Sequence, residues 1–249
     1  MFSEEEHELR VLINSFNMCL MTSNFSIEYL LGIGTAQHQD DQNDRIDLQL
    51  EGGDLWEQFH NLGTEMIVTK MGRRMFPTIQ ITAYGLEADA QYSFLVDLES
   101  IDSKRYRYSF HQSRWIATGP GEPELPSRVF VHPDSPAPGC HWMGGPISFD
   151  KIKLTNNQMD KRGHIIVNSM HKYRPRIQVI KHGAEEKRAL FSFEETTFVA
   201  VTAYQNHRIT SLKIERNPFA KGFRDGDVDE LKQINIFTPL LTLIKNFEP

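Results

Sequence analysis

The pattern of apolar and polar positions changes character along this 249-residue chain. Up to Gly53 the residues are rich in Glu, Asp, Gln, Asn and Ser, with Gly32, Gly34, Gly52 and Gly53, and no strand-like alternation. Such a stretch buries too little apolar surface to offset the entropy of ordering, so residues 1–53 are expected to be a mostly disordered acidic tail. One apolar island, Phe25 to Leu31, interrupts it. From Asp54 the texture becomes short β-branched and aromatic runs separated by Gly, Pro, Asn and Asp. Met66 and Val68 alternate with Ile67 and Thr69; Ile79, Ile81 and Ala83 with Gln80 and Thr82; Phe94, Val96 and Leu98 with Leu95 and Asp97. Ile177 and Val179 around Gln178, Phe191 with Phe193, Phe198 to Val201, and Leu212 with Ile214 continue the series. Alternation at period two, punctuated by turn residues, predicts about seven strands packed as a mainly β sandwich or barrel.

Gly119 to Pro138 holds six of the twelve prolines and reads as an extended connection, because Pro cannot donate to a ladder. Few helices are expected. Asp54 is placed to N-cap a turn beginning Leu55-Trp56, and Asn217 to cap a short helix Pro218-Phe219-Ala220-Lys221, where Pro suits the first turn. No repeat of 20 to 50 residues is visible, which sets solenoids and propellers aside. The expected organisation is a tail over 1–53, one folded domain over 54–225 and a short C-terminal tail over 226–249.

Charge sharpens this division. The chain carries 27 Lys+Arg against 33 Asp+Glu, net −6, which argues against a polyanionic partner only until it is divided. Residues 1–53 hold 2 basic and 10 acidic side chains, residues 54–225 hold 23 and 19, and residues 226–249 hold 2 and 4. The central block is mildly basic while both tails repel polyanions, so the case rests on how the cations cluster. With only Cys19 and Cys140, a disulfide scaffold and a Cys-based zinc finger are excluded. The acidic start Met1-Phe2-Ser3-Glu4-Glu5-Glu6 lacks the basic region of a secretory signal, and no apolar run approaches the roughly 18–20 residues of a membrane span. A soluble intracellular protein without a membrane partner is the expectation.

Catalytic patterns fail one by one. The chain has no Gly-x-Ser-x-Gly elbow, no GxxxxGK phosphate loop and no HExxH helix. His132, His141, His164, His171 and His182 are spaced too irregularly for a local metal motif, and Asp134 and Glu194-Glu195 resemble no catalytic carboxylate pair. No enzyme activity, metal or cofactor is expected.

Three basic groups stand out. Gly72-Arg73-Arg74-Met75-Phe76-Pro77 puts two guanidinium groups just after a strand, where one can enter a groove and bond bidentately to guanine, or simply decorate a solvated turn. Lys151, Lys153, Lys161 and Arg162 surround the polar turn Thr155-Asn156-Asn157, and Lys172, Arg174 and Arg176 share one face of a strand, which suits a phosphate backbone or an ordinary exposed sheet face. In Asn217-Pro218-Phe219-Ala220-Lys221-Gly222-Phe223-Arg224, two rings four apart project together, flanked by cations. That is a minor-groove reader or a terminal helix docked on the core.

Longer motifs decide between these readings. Leu55-Trp56-Glu57-Gln58-Phe59, Glu65-Met66-Ile67-Val68-Thr69-Lys70, Gly72-Arg73-Arg74-Met75-Phe76-Pro77, His132-Pro133-Asp134-Ser135-Pro136, His141-Trp142-Met143, Leu154-Thr155-Asn156, Asn168-Ser169-Met170-His171-Lys172-Tyr173, Ala200-Val201-Thr202-Ala203-Tyr204-Gln205-Asn206 and Asn217-Pro218-Phe219-Ala220-Lys221 follow in an order and spacing that resembles the T-box DNA-binding domain. The resemblance runs from about Leu55 to Arg224. It implies a seven-stranded immunoglobulin-like sandwich whose loops and C-terminal helix grip double-stranded DNA, in a nuclear transcription factor recognising a TCACACC-like half-site as a monomer or weak dimer. By motif position it implies Arg73 as the guanine reader in the major groove, and Thr210, Phe219 and Phe223 as minor-groove contacts. Lys221 and Arg224 are implied as flanking backbone cations, together with Arg74, Lys153, Asn156 and Arg176. Cys140, where relatives carry a small residue, Arg174, the charged hairpin His182 to Arg188 and the acidic tail depart from the pattern without touching the reading residues. The picture expects cations and two rings at opposite ends of the sandwich to meet adjacent grooves of one duplex.

In the tail, Phe25-Ser26-Ile27-Glu28-Tyr29-Leu30-Leu31-Gly32 resembles the engrailed-homology repression motif. It implies a short segment, with Phe25, Ile27, Leu30 and Leu31 as its apolar positions, that orders on a Groucho-type corepressor. An amphipathic turn packed on the domain, or an activation segment, are the alternatives. At the level of the whole chain, the rivals to a DNA-binding repressor are a T-box activator and a β-sandwich protein-interaction module without DNA binding.

Overall fold

The computed structural model describes residues 46–220 apart from Glu124, Pro126 and Ser127. The apolar island at 25–32, Phe223, Lys221 and Arg224 therefore lie outside the described residues.

The chain enters the fold earlier than expected. Asp47–Leu50 forms β1, buried at Leu48 and Leu50, and pairs antiparallel with β4 (Gln80–Tyr84) in the register Asp47↔Tyr84 to Leu50↔Ile81. The boundary at residue 54 thus cuts into the domain. Helix α1 (Gly53–Leu62) follows at once, burying Trp56 and Phe59. Its N-cap is Gly52, at φ 65, so Asp54 lies in the first turn and does not cap it. There a carboxylate still favours the helix through the positive end of its dipole.

Two sheets sandwich the core. The larger has seven strands. It runs from β2 (Glu65–Ile67) through β15 (Phe198–Val201), β13 (Lys172–His182) and β5 (Gln91–Ser100) to β8 (Phe130–Val131), with β14 (Lys187–Ser192) added on β13 and β9 (Ala137–Pro138) on β5. Opposite it stand β1, β4 and β10 (Ile147–Ser148). Leu48 and Ile81 from the smaller sheet meet Phe94, Val96, Ile177 and Val179 from the larger in one cluster that also holds Trp56, Trp142, Phe149 and Leu154. Trp142 belongs to the short helix α2 (Gly139–Met143), and its indole N–H is shared between the Tyr92 and Ala137 carbonyls at 3.1 and 3.0 Å.

The expected mainly β sandwich is what the chain forms, cut into fifteen strands among the described residues because several ladders are only two residues long. β8 and β9 are such pieces within the proline-rich connection, as the lack of donors requires. Pro175 sits inside β13, but between the stretch that pairs with β15 (Lys172, Tyr173) and the stretch that pairs with β14 (from Arg176), where the ladder changes partner. β13 and β14 form the expected hairpin around His182 to Arg188.

Leu212 and Ile214 do not form a strand. They belong to helix α3 (His207–Arg216), capped by Asn206, whose side-chain oxygen accepts from the Arg208 N–H at 3.0 Å. A 3-10 turn, Pro218–Ala220, continues from it where the short terminal helix was expected. Two outlying pieces complete the fold: a small sheet of β3 (Arg73–Arg74), β11 (Lys153–Thr155) and β12 (Ile165–Ile166), and the separate hairpin of β6 (Lys104–Ser109) and β7 (Arg114–Pro120). Among the described residues no helix is long and apolar enough to cross a membrane.

Candidate nucleic-acid interface

Gly72 sets up the first element of the site. It turns at φ +81, in the left-handed region, and its N–H donates to the Thr69 carbonyl at 3.1 Å. A Cβ there would lie 2.7 Å from two ring atoms of His164, and that ring is tethered 3.0 Å from Asp160. Gly72→Ala is therefore expected to cost about 1–3 kcal/mol and to displace the adjoining strand. Thermal unfolding measures it, and an unchanged melting temperature would contradict the packing described.

From that turn β3 runs antiparallel to β11, with Arg74 opposite Lys153 and Arg73 opposite Leu154. Three of the residues expected to meet DNA, Arg73, Arg74 and Lys153, are thereby brought onto one small sheet, and Asn156 follows directly after β11. The loop beyond it is organised by Asp160, whose carboxylate accepts from the backbone of Arg162 and His164 at 3.0 and 3.1 Å and from Arg128 at 2.9 Å. Asn156 keeps Oδ1 buried without a partner among the described residues. A phosphate can be met only by its Nδ2, since Oδ1 is an acceptor.

Helix α3 supplies the other side. Arg73, Tyr204, Thr210, Lys213, Asn217 and Phe219 all line one cleft of about 110 Å³. The base-reading candidates Arg73 and Phe219 are thus not at opposite ends of the sandwich: both line a single cleft, because α3 packs beside α1 and β2. Phe219 is 85% exposed, the most open large apolar side chain among the described residues, and its N–H is held by Asn217 Oδ1 at 3.0 Å. A bare ring rigidly presented in this way has no role in the core.

Two of the expected contacts are also engaged within the fold. Thr210 is buried, its hydroxyl donates to the Asn206 carbonyl at 3.5 Å, and it lines the cleft. Arg176 does share a face with Lys172 and Arg174, but the row is spoken for inside the fold. Arg176 is gripped by Asp97 through two bonds of 3.0 and 2.7 Å, Arg174 by Glu99 at 2.7 Å and by Glu194, and the Lys172 ammonium sits 4.3 Å from the Tyr106 ring centre. Arg176 thus forms a sheet-face ion pair in the structure, leaving fewer of its donors for a phosphate.

Sequence reasoning missed what positions α3. Glu65, on β2, has no exposed surface and accepts from the backbone N–H of Gln205 (2.7 Å) and Asn206 (3.0 Å) and from the Trp115 indole (3.2 Å). Asn206 in turn donates through Nδ2 to the Leu62 carbonyl at 2.9 Å, tying the start of α3 to the end of α1. Burial pushes the Glu65 carboxyl up to about 7, against those donors and the charge of Lys213. Burial likewise pulls Lys213 down to about 7, with Glu65 working the other way. The Lys213 ammonium donates to the Phe76 carbonyl and lies 5.2 and 5.4 Å from the ring centres of Phe59 and Tyr204. The only hint in the sequence was the run Tyr204-Gln205-Asn206 ahead of an uninterrupted ten residues without Gly or Pro.

Cations on β3 and β11 and a bare ring in the turn after α3, with the β13 arginines internally neutralised, define a β-sandwich module that carries one cation- and ring-bearing surface. The T-box family profile matches residues 48–225. The chain is 59% identical over 221 residues to T-box transcription factor mls-1 of Caenorhabditis elegans, an alignment covering 87% of this chain and 88% of the relative. It is 56% identical over 193 residues to T-box transcription factor TBX1 of Danio rerio and 55% identical over 193 residues to T-box transcription factor TBX10 of Homo sapiens. Those two alignments cover 74% of this chain but only 42% and 50% of the relatives. The chain belongs to the T-box family.

Proposed function

We propose that this chain is a nuclear, sequence-specific DNA-binding regulator of transcription that recognises a TCACACC-like half-site. Arg73 reads guanine from the major groove, and Phe219, with Phe223 beyond the described residues, enters the minor groove. Arg74, Lys153, Asn156, Lys221 and Arg224 hold the backbone. The observation that carries this reading is the cleft itself. A guanidinium and an exposed ring lining one cleft bring a groove-reading cation and a wedge side chain close enough together to serve adjoining grooves of one duplex. Selection of bound sequences from a random duplex pool by the full chain is expected to enrich a TCACACC-like element. A pool returned without enrichment would leave the interaction-module reading in its place.

The sign of regulation rests on the tail. We infer repression through a Groucho-type corepressor from the spacing of Phe25, Ile27, Leu30 and Leu31, the format of a segment that orders on binding. Phe25→Ala is expected to relieve repression of a reporter bearing the selected element while leaving DNA binding intact. Undiminished repression would sink the corepressor assignment, and activation by the unmutated chain would favour the activator.

A further inference from the structure

The hairpin β6–β7 is not absorbed by the site above. Its register, Tyr106↔Ala117, Arg107↔Ile116, Tyr108↔Trp115 and Ser109↔Arg114, divides it into two faces. Tyr106 and Tyr108 turn inward and are buried, with Trp115 packed 5.5 Å from Tyr108 and resting on the small cluster Ile67, Val199 and Val201. The opposite face carries Arg105, Arg107 and Arg114. Arg107 and Arg114 are diagonal neighbours, and Arg105 stands two residues, about 6.6 Å, from Arg107 along the strand. Arg105 pairs with Glu122, and Arg114 donates to Gln112 at 2.8 Å, but neither Arg107 nor Arg114 has a carboxylate partner among the described residues. This contrasts with the β13 row, where Arg174 and Arg176 are neutralised.

The hairpin is also locked to the reading helix. The Trp115 indole and the backbone of Gln205 and Asn206 all donate to the single carboxylate of Glu65, so the arginine face and the start of α3 are fixed to one anchor. Arg105, Arg107 and Thr118 of the hairpin line a cleft with Gln205 just ahead of that helix. Helix α3 has ten residues and is about 15 Å long, so its start, held beside the hairpin, and the Phe219 turn after its end are separated by about that length.

We propose that Arg107 and Arg114 on the β6–β7 hairpin form a second clamp on the phosphate backbone of the same duplex, flanking the half-site and independent of its sequence. Charge complementarity and continuity with the cleft at α3 select duplex nucleic acid as the occupant. The proposal rests on the DNA-binding reading given above. Removing one cation that neutralises a phosphate lowers the dependence of log affinity on log salt by about 0.9.

The test compares the full chain with its Arg107→Ala/Arg114→Ala and Arg107→Lys/Arg114→Lys variants by salt titration. One duplex is the bare half-site and another extends it by about six base pairs on each side. On the long duplex the alanine variant is expected to show a salt slope shallower by about 1.8, so that its change in affinity between 50 and 200 mM salt is about ten-fold smaller than that of the unmutated chain. On the bare half-site the three proteins should coincide, the lysine variant should keep the full slope, and base preference should be the same throughout. Equal slopes for the alanine variant and the unmutated chain on the long duplex would overturn the clamp and leave the face to an acidic protein partner. Absence of salt-dependent duplex binding by the unmutated chain would instead overturn the underlying DNA-binding reading.

Discussion

Replacing Glu65 by alanine is expected to destabilise the domain by about 3–5 kcal/mol, the scale on which removing one member of a buried charged set acts. Glu65 is fully buried, and three donors converge on it: the N–H groups of Gln205 and Asn206 and the indole of Trp115. Alanine leaves all three without an acceptor, at about 1–3 kcal/mol for each that water cannot reach. It also removes the negative charge that helps Lys213 stay ionised where burial opposes it. The loss is local as well as global, because Glu65 fixes the residues immediately before α3. Denaturant unfolding should show the drop in midpoint, and amide exchange should show protection lost first over His207–Arg216. Glu65→Gln, which keeps one acceptor oxygen and the volume, should fall between the two. A Glu65→Ala protein within about 1 kcal/mol of the unmutated chain would show that α3 is held by something else.

Arg73→Ala is expected to weaken binding to the selected element by about 1–3 kcal/mol, roughly five- to 150-fold, and to relax preference at one guanine. The side chain leaves β3 opposite Leu154 and lines the cleft with Phe219, so its removal takes away the group proposed to read guanine. Stability should change little, since Arg73 is half-exposed and forms no ion pair among the described residues. Lys221→Ala supplies the contrast: without that backbone cation, binding to every sequence should weaken alike and the salt slope should fall by about one. Competition titrations against single-base variants of the element separate the two. Unchanged affinity and unchanged preference in Arg73→Ala would remove the guanine reader from this account.

Much of the sandwich was legible because its core strands alternate as strands should. Phe94, Val96, Ile177 and Val179 announce their buried face by type, and Phe198 to Val201 by continuous apolarity. Strand β1 alternates too, in Asp47-Leu48-Gln49-Leu50, but four residues at the end of an acidic stretch carry too little signal until β4 is seen to offer them an edge. Helix α3 escaped for a different reason. Its buried face is Ile209, Thr210 and Lys213, so only one of three inward positions is a hydrocarbon, and no apolar stripe marks the helix. The lysine is tolerated there because a carbonyl, nearby aromatic rings and a distant-in-sequence carboxylate surround it.

By itself, then, the sequence determined the fold class, the T-box resemblance and the position of Arg73, since apolar period, turn residues and motif spacing are all properties of neighbouring positions. Only the tertiary structure decided which cations are free. Arg176 and Arg107 are the same residue type, each on a strand in an antiparallel pair, yet Asp97 crosses from β5 to neutralise one, while none of the described carboxylates reaches the other. Likewise Phe219, from the far end of the domain's sequence, became the neighbour of Arg73 through packing alone. Charge neutralisation and cleft formation depend on distances between strands far apart in the chain, and those distances exist only once the core has closed.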